Sequence, residues 1–211
     1  DGKIIIEVQY LLNTIKDLTF DNIYHEHTNY WSLFTLYNFL KKIDLKIFKV
    51  EKINTHGGSI RVYVSKSKDI LIDESVNQML KEEEDFGLKK MSTYIEFGKK
   101  VSNLKSQVIK NLKKLNQKYK SIIGYGAPAK ATTLLNYFNI SKEIDFIIED
   151  NKLKHGKFVP GVNIPIVSKE KIKDKNQAIL VLAWNFFEDI KSNNKDISEN
   201  FINIKNLEEK I

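Results

Sequence analysis

Two of the four histidines of the chain lie in one short segment, Tyr24-His25-Glu26-His27, with a carboxylate between them. Histidine changes its charge near neutral pH, so it is the side chain most often used as a general base. Carboxylate and tyrosine neighbours can fix its tautomer or donate hydrogen bonds to a developing oxyanion. If the segment is extended, His25 and His27 share one face and Glu26 points away. The segment predicts a proton-transfer site, with a structural polar cluster as the alternative.

A third histidine, His56, precedes Gly57-Gly58, a pair that is typical of a turn because glycine adopts positive φ. If this turn lies close to the first segment, His56 is a candidate substrate contact. His56 is also the histidine that could complete a metal site with His25 and His27, since at least a third ligand is needed. We predict no metal site, and metal binding stays as an alternative.

A glycine segment, Gly124-Tyr125-Gly126-Ala127-Pro128-Ala129-Lys130, lies between an apolar run and a helical pattern. It fits G-x-G-x-x-[GA], and Glu149 follows Ala129 by 20 residues (149 − 129 = 20). This is the dinucleotide fingerprint, in which glycines allow close approach of the backbone and a helix N-terminus offers N–H groups to phosphate. Lys130 adds a cation. The predicted ligand contacts are Gly124, Gly126, Ala127, Lys130 and Glu149. The same segment could equally bind the diphosphate of a nucleotide sugar. The remaining alternative is a Rossmann-type loop that binds no ligand.

The elements around the histidine segment follow from hydrophobic periodicity. Strands are predicted over 4–8, 46–52 and 59–65, and helices over 11–17 and 31–43. The first strand is an apolar run of the buried type, and the other two are expected to pair antiparallel. Asn29 or Ser32 is expected to cap the second helix. Residues 69–120 are predicted to be helical, and one apolar stripe runs along their end. The stripe consists of Val101, Leu104, Val108, Leu112, Leu115 and Tyr119.

From residue 121 the pattern changes to apolar strands that alternate with helices. Strands are predicted over 121–123, 144–149, 161–167, 178–184 and 201–204, with helices that end near 138 and begin at 187. Such alternation predicts a parallel sheet with helices on both faces. The predicted fold class is α/β, with a C-terminal Rossmann-like parallel sheet domain.

Composition excludes several classes of protein. The chain of 211 residues contains no cysteine, which excludes disulfides, thiolate zinc sites and cysteine nucleophiles within it. No apolar window of about 18 residues and no signal-peptide pattern is present, so we expect a cytoplasmic protein. The net charge is +7, but Arg61 is the single arginine and the lysines are scattered. We therefore expect no nucleic-acid or membrane partner, and a surface that favours anionic small molecules.

The segment Phe20-Asp21-Asn22-Ile23-Tyr24-His25-Glu26-His27 resembles the hallmark of sugar C-methyltransferases that depend on S-adenosyl-L-methionine (SAM). These enzymes act on dTDP-4-keto-deoxysugars and related nucleotide sugars in antibiotic and surface-polysaccharide pathways. Further segments resemble later signatures of the family in the right order. They are Thr55-His56-Gly57-Gly58-Ser59, Gly124–Lys130, Thr133-Leu134-Leu135-Asn136-Tyr137, Pro160-Gly161, Ile164-Pro165 and Ala183-Trp184-Asn185. Ala131-Thr132 depart from the Gly-Asn expected after the lysine.

The resemblance implies the domain organisation. The family has an N-terminal zinc-binding segment, a class I SAM domain and a Rossmann-like C-terminal domain. Residues 1–66 would be the end of the SAM domain, 67–120 a helical linker and 121–211 the C-terminal domain. The chain lacks an initiator Met, cysteines and the glycine loop that holds SAM. We therefore expect the C-terminal half of such an enzyme, with an incomplete SAM site, zinc only in the missing N-terminal segment, and no methyltransferase activity for this half alone.

The resemblance also implies a mechanism. A ketone at C4 of the sugar acidifies the proton on C3, a base removes it, and the enolate carbon takes the methyl group of SAM. By position, His27 corresponds to the proposed base of the family, Tyr24 and Glu26 to its neighbours, and His25 lies beside them. Two alternatives remain open: a nucleotide- or NAD-binding module without methyltransferase activity, and an interaction protein that keeps only the nucleotide-sugar domain.

Overall fold

The computed structural model describes residues 2–55, 57–172 and 175–204. The chain divides into two compact units. The first unit contains residues 1–20 and 25–101, and the second contains residues 21–24 and 102–211. Residues 21–24 therefore belong to the second unit, although the residues before and after them belong to the first.

The first unit contains a three-stranded antiparallel sheet with the strand order β1-β3-β2. Its elements are β1 (Lys3–Gln9), α1 (Leu11–Lys16), α2 (Leu33–Lys41), β2 (Lys46–Ile53), β3 (Ser59–Ser65) and α3 (Glu74–Phe86), and α4 (Met91–Lys118) begins in it. In the central strand β3, Ile60, Val62 and Val64 are fully buried, which confirms the predicted alternation. The antiparallel pairing of β2 with β3 is confirmed as well.

The strand β1 forms as predicted, but its predicted burial is wrong. Its side chains at Ile4 and Ile5 are 46% and 61% exposed. Among the described residues, β1 pairs with β3 alone. An apolar run cannot by itself distinguish a central strand from an edge strand.

Helix ends in the first unit are set by capping residues. Ser32, one of the two predicted caps, accepts a hydrogen bond from Thr35 N at 3.1 Å and forms a capping box with it. The predicted helical stretch 69–120 contains two helices, α3 and α4. Gly87 ends α3 in the left-handed conformation at φ +85°, where glycine carries no steric penalty.

The second unit contains a five-stranded sheet with the order β6-β5-β4-β7-β8, in which every pairing is parallel. Its elements are β4 (Ile122–Tyr125), α5 (Ala129–Phe138), β5 (Ile147–Ile148), β6 (Ile166–Val167), β7 (Ala178–Val181), α6 (Phe187–Asn193) and β8 (Phe201–Asn203). The predicted α/β class is confirmed, with strands that are mostly shorter than predicted. After β4 the chain adds β5 and β6 on one side of it, and then β7 and β8 on the other side. The strand order therefore reverses between β4 and β7.

Much of the predicted stripe on α4 is confirmed by burial. Val101, Val108, Leu112 and Leu115 are each no more than 5% exposed. Across the described ranges, none of the helices is both long and apolar enough to cross a membrane.

Candidate functional site

The histidine segment is preceded by a buried anchor that belongs to the second unit. Residues Phe20–Asn22 form a single 3-10 turn, and the Asp21 side chain is fully buried. Its Oδ2 atom accepts a hydrogen bond of 2.6 Å from the indole Nε1 of Trp184, in the turn after β7. Thr133 Oγ1, on α5, donates to the backbone oxygen of Ile23 at 3.4 Å. Residues 21–24 are thus held by the elements that follow β4 and β7.

The Lys130 side chain lies in the same surroundings. Its ammonium nitrogen is 5.5 Å from the ring centroid of Trp184, a cation–π geometry. That nitrogen is shielded from solvent and makes no hydrogen bond to the described residues, and the same holds for Oδ1 of Asp21. Burial lowers the pKa of Lys130, and the negative charge of Asp21 opposes this change. Lys130 is therefore a cation that gains from an anionic partner.

The histidine segment itself forms a turn, not an extended strand. Residues 24–26 are a bend and a turn, so the extended conformation that would place His25 and His27 on one face is not formed. The His25 side chain is 86% exposed, and its Nε2 lies 4.0 Å from Oε1 of Glu26. His27 is half-buried, and its ring meets the ring of Tyr30 edge-on with centroids 6.4 Å apart. The turn therefore separates the two histidines into different environments.

The residues after the segment are held by the first unit. Leu11 N donates to Trp31 O at 2.9 Å, and α2 begins two residues later. The carboxylate of Glu83 is buried and accepts from Leu33 N at 2.5 Å and Phe34 N at 2.9 Å. A carboxylate at this place satisfies two of the free N–H groups of α2 and complements the helix dipole. Sequence reasoning missed Glu83, since nothing distinguishes it from the other charges of α3.

The buried hydroxyl of Tyr10 lies beside this carboxylate. Burial raises the pKa of Tyr10, and the negative charge of Glu83 raises it further. Of the two groups, Glu83 is the one that binds the start of α2.

The glycines of the predicted loop are explained by packing inside the second unit. A Cβ atom on Gly124 would lie 2.7 Å from Ile147 Cγ1 and 3.0 Å from Leu182 Cδ1. Gly126 has φ +85°, and a Cβ atom there would lie 2.8 Å from Ala183 Cβ. The fingerprint spacing thus follows from the contacts of β4 with its neighbours, whatever the loop binds.

Glu149 closes the glycine loop. Its Oε2 accepts from Ala127 N at 2.9 Å and from Lys154 Nζ at 3.2 Å, and its Oε1 accepts from Asn151 N at 3.0 Å. Burial alone would raise the pKa of Glu149, but these hydrogen bonds and the Lys154 ammonium outweigh burial and lower it. In the dinucleotide interpretation this carboxylate binds a ribose. In the structure Oε2 already binds the loop at Ala127, and Oε1 already binds Asn151 N in the turn after β5.

A second polar cluster at this edge of the sheet was missed from the sequence. The buried hydroxyl of Tyr125 lies 3.0 Å from both carboxylate oxygens of Asp150 and 3.2 Å from Oδ1 of Asn194. Burial raises the pKa of Tyr125, and the hydrogen bond to Asp150 raises it further. The only signal in the sequence was a tyrosine between the two glycines of the motif.

The second glycine turn is confirmed at its described residues. Gly57 and Gly58 have φ of +85° and +110°, and His56 lies outside the described residues. The turn connects two antiparallel strands and is followed directly by β3. A nucleotide cofactor is held by a turn that leads from a strand into a helix. The Gly57-Gly58 turn is therefore not a loop of that type. Within the described ranges, no three His, Asp or Glu side chains are grouped as metal ligands.

Two comparisons with known proteins agree with each other. A family model described as C-methyltransferase C-terminal domain matches residues 54–203. The C-methyltransferase NovU of Streptomyces niveus is 34% identical over 203 residues, which cover 95% of this chain and 48% of NovU. The chain spans about half the length of this curated relative.

Proposed function

The chain belongs to the family of C-methyltransferase C-terminal domains, and on this premise we propose that it removes a proton from the carbon beside the ketone of a nucleotide-linked keto-deoxysugar. His27 is the base in this proposal. Membership of a methyltransferase family implies SAM as the source of the methyl group. The steps argued below concern only the proton and the binding of the sugar nucleotide.

The observation that carries the proposal is the contrast between the two histidines. His27 is half-buried against Tyr30, whereas His25 is largely in water. A base works best where water is partly excluded and its ring is held in one orientation. In the proposed step, a nitrogen of His27 takes the proton and the electrons of the C–H bond become the enolate. The products of the step are a histidinium and an enolate, so charge is balanced.

Tyr24 is the proposed hydrogen-bond donor to the enolate oxygen. It is half-buried and three residues from His27, and a donor placed before the reaction stabilises the charge that develops on oxygen. Glu26 is 65% exposed and lies near His25. We assign these two side chains a supporting electrostatic role and no proton transfer.

Lys130 and the start of α5 are the proposed contacts for the diphosphate of the substrate. Pro128 precedes α5 and provides no side-chain cap, so the first N–H groups of the helix remain suited to an anion. The Lys130 ammonium is shielded and makes no hydrogen bond to the described residues. Glu149 contributes indirectly, because it fixes the shape of the loop at Ala127.

The experiment is deuteron wash-in from D2O at the carbon beside the ketone of a dTDP-4-keto-6-deoxysugar, measured by mass spectrometry. This exchange reports proton removal and needs no methyl donor. The variant His27→Asn removes the base, and His25→Asn is the matched control two residues away. We expect His27→Asn to slow exchange by about 10²–10⁴-fold and His25→Asn to change it less than about threefold.

Two results would refute the proposal. One is exchange by the wild-type protein that is no faster than in buffer, at a concentration of dTDP-sugar shown by calorimetry to saturate the protein. The other is equal loss of exchange in both histidine variants, because that result removes the distinction between an exposed and a half-buried ring.

A further inference from the structure

The hydrogen bond between Trp184 and Asp21 joins two residues that are 163 positions apart in the chain. Trp184 lies in the turn that follows β7, and Lys130 lies in the first turn of the helix that follows β4. In open parallel sheets, ligands bind beyond the carboxyl ends of the strands where the strand order reverses. Here β4 and β7 are those two strands. The segment that begins at Asp21 is therefore attached at the place where such sheets bind their ligands.

The hydrogen bond between Asp21 and Trp184 is specific, because a buried carboxylate without a donor would be unfavourable. Its side chain is fully buried, and its charge has one hydrogen-bond donor among the described residues, the indole of Trp184. A buried carboxylate needs such a donor, and a bond to an ionised acceptor is stronger than one between neutral groups. The ammonium of Lys130 adds the opposite charge nearby, over the ring of Trp184. These three side chains together fix one position for Asp21.

We propose that Asp21 and Trp184 are positioning residues for the base, because their hydrogen bond fixes the residues that lead into the turn over 24–26. The inference rests on the proposed function of His27. Two residues, Asn22 and Ile23, separate Asp21 from the turn over 24–26, and the backbone oxygen of Ile23 is also bound, by Thr133. The second unit thereby holds residues 21–24, which lead into the histidine turn.

The test uses Trp184→Phe, which keeps an aromatic ring and removes the donor. Phe186→Leu is the control, because Phe186 lies in the same turn and is 62% exposed. Two readouts are combined: amide hydrogen exchange of the peptide over residues 21–30, and the rate and half-saturation of deuteron wash-in. We expect Trp184→Phe to raise amide exchange in this peptide at least tenfold and to lower the maximal wash-in rate at least tenfold. The substrate concentration at half-saturation and the affinity for dTDP should each change less than about twofold. General destabilisation would not lower the maximal rate while leaving binding unchanged.

A second variant keeps the test decisive if Trp184→Phe does not fold. Asp21→Asn retains an acceptor for the indole and loses only the charge, so it should restore most of the protection and rate that Asp21→Ala loses. Unchanged amide exchange over 21–30 in Trp184→Phe, or an unchanged wash-in rate, would overturn the inference. Absence of wash-in by the wild-type protein would refute the proposed role of His27. Amide exchange over residues 21–30 would then still test whether the bond between Asp21 and Trp184 holds this segment.

Discussion

Replacing Glu149 with glutamine tests whether this residue holds the glycine loop. The two carboxylate oxygens accept from different backbone N–H groups, Oε2 from Ala127 and Oε1 from Asn151. Glutamine has the same shape but only one acceptor oxygen. It can therefore satisfy one N–H group, while its own NH2 group faces the other donor.

The magnitude follows from these contacts. Loss of one hydrogen bond to a charged acceptor costs about 1.5–3 kcal/mol. The ion pair with Lys154, whose side chain is 38% exposed, adds about 0.2–1 kcal/mol after screening by solvent. We expect Glu149→Gln to lower the free energy of unfolding of the second unit by about 2–4 kcal/mol. Glu170→Gln, at an exposed residue of the same unit, should change it by less than about 0.5 kcal/mol.

The assay is urea unfolding followed by tryptophan fluorescence. The chain has two tryptophans, Trp31 in the first unit and Trp184 in the second. A Trp31→Phe background makes the signal report the second unit alone. Equal stability of Glu149→Gln and its parent at pH 7, within about 0.5 kcal/mol, would refute the loop-closing role.

The same variant has a defined pH dependence. The pKa of Glu149 is lower in the folded chain than its ordinary value of about 4.3. Its stabilising contribution is therefore complete above about pH 5 and is lost as the pH falls through the folded value. The stability difference between wild type and Glu149→Gln should be constant from about pH 6 to 8 and shrink below about pH 4.

Two further predictions concern the positions that hold the site. Gly126→Ala should lower the free energy of unfolding by about 2–4 kcal/mol, because the backbone is left-handed there and the new Cβ atom would contact Ala183. Gly156→Ala should lower it by only about 1–2 kcal/mol in urea unfolding, because Gly156 has φ +76° but open space around it. Glu83→Gln should destabilise the first unit by about 1.5–3 kcal/mol, since one of its two helix N–H partners is lost. The exposed neighbour Glu84→Gln should have little effect, and equal thermal melts for the two glutamine variants would contradict the capping role.

The parts of the fold that follow from local pattern were predictable from the sequence. Alternation in 59–65 identified β3, helical spacing of apolar residues identified α2 with Ser32 as one of two candidate caps, and the apolar stripe identified the buried face of α4. The type and parallel arrangement of the C-terminal strands followed as well, because βα alternation leaves few topologies. The predicted burial of β1 was wrong, because an apolar run does not reveal what packs against the strand.

The candidate site was predictable only in its residue types. Asp21 and Trp184 are joined by a contact across most of the chain, and hydrophobic periodicity carries no information on such pairs. One oxygen of Glu149 binds Ala127 N, in the loop that the fingerprint assigned to a ligand, and the other binds Asn151 N. The turn over 24–26 has neither Gly nor Pro, so no local signal marked it.

The most direct measurement of the central claim is the pH dependence of deuteron wash-in at saturating dTDP-4-keto-6-deoxysugar. A histidine base must be neutral to accept a proton, and histidine ordinarily loses its charge between about pH 5 and 8. We predict that the wild-type rate rises through this range and levels off, and that His27→Asn is slow at every pH. A wild-type rate that does not depend on pH, or a His27→Asn variant that retains the full rise, would contradict the assignment of His27 as the base.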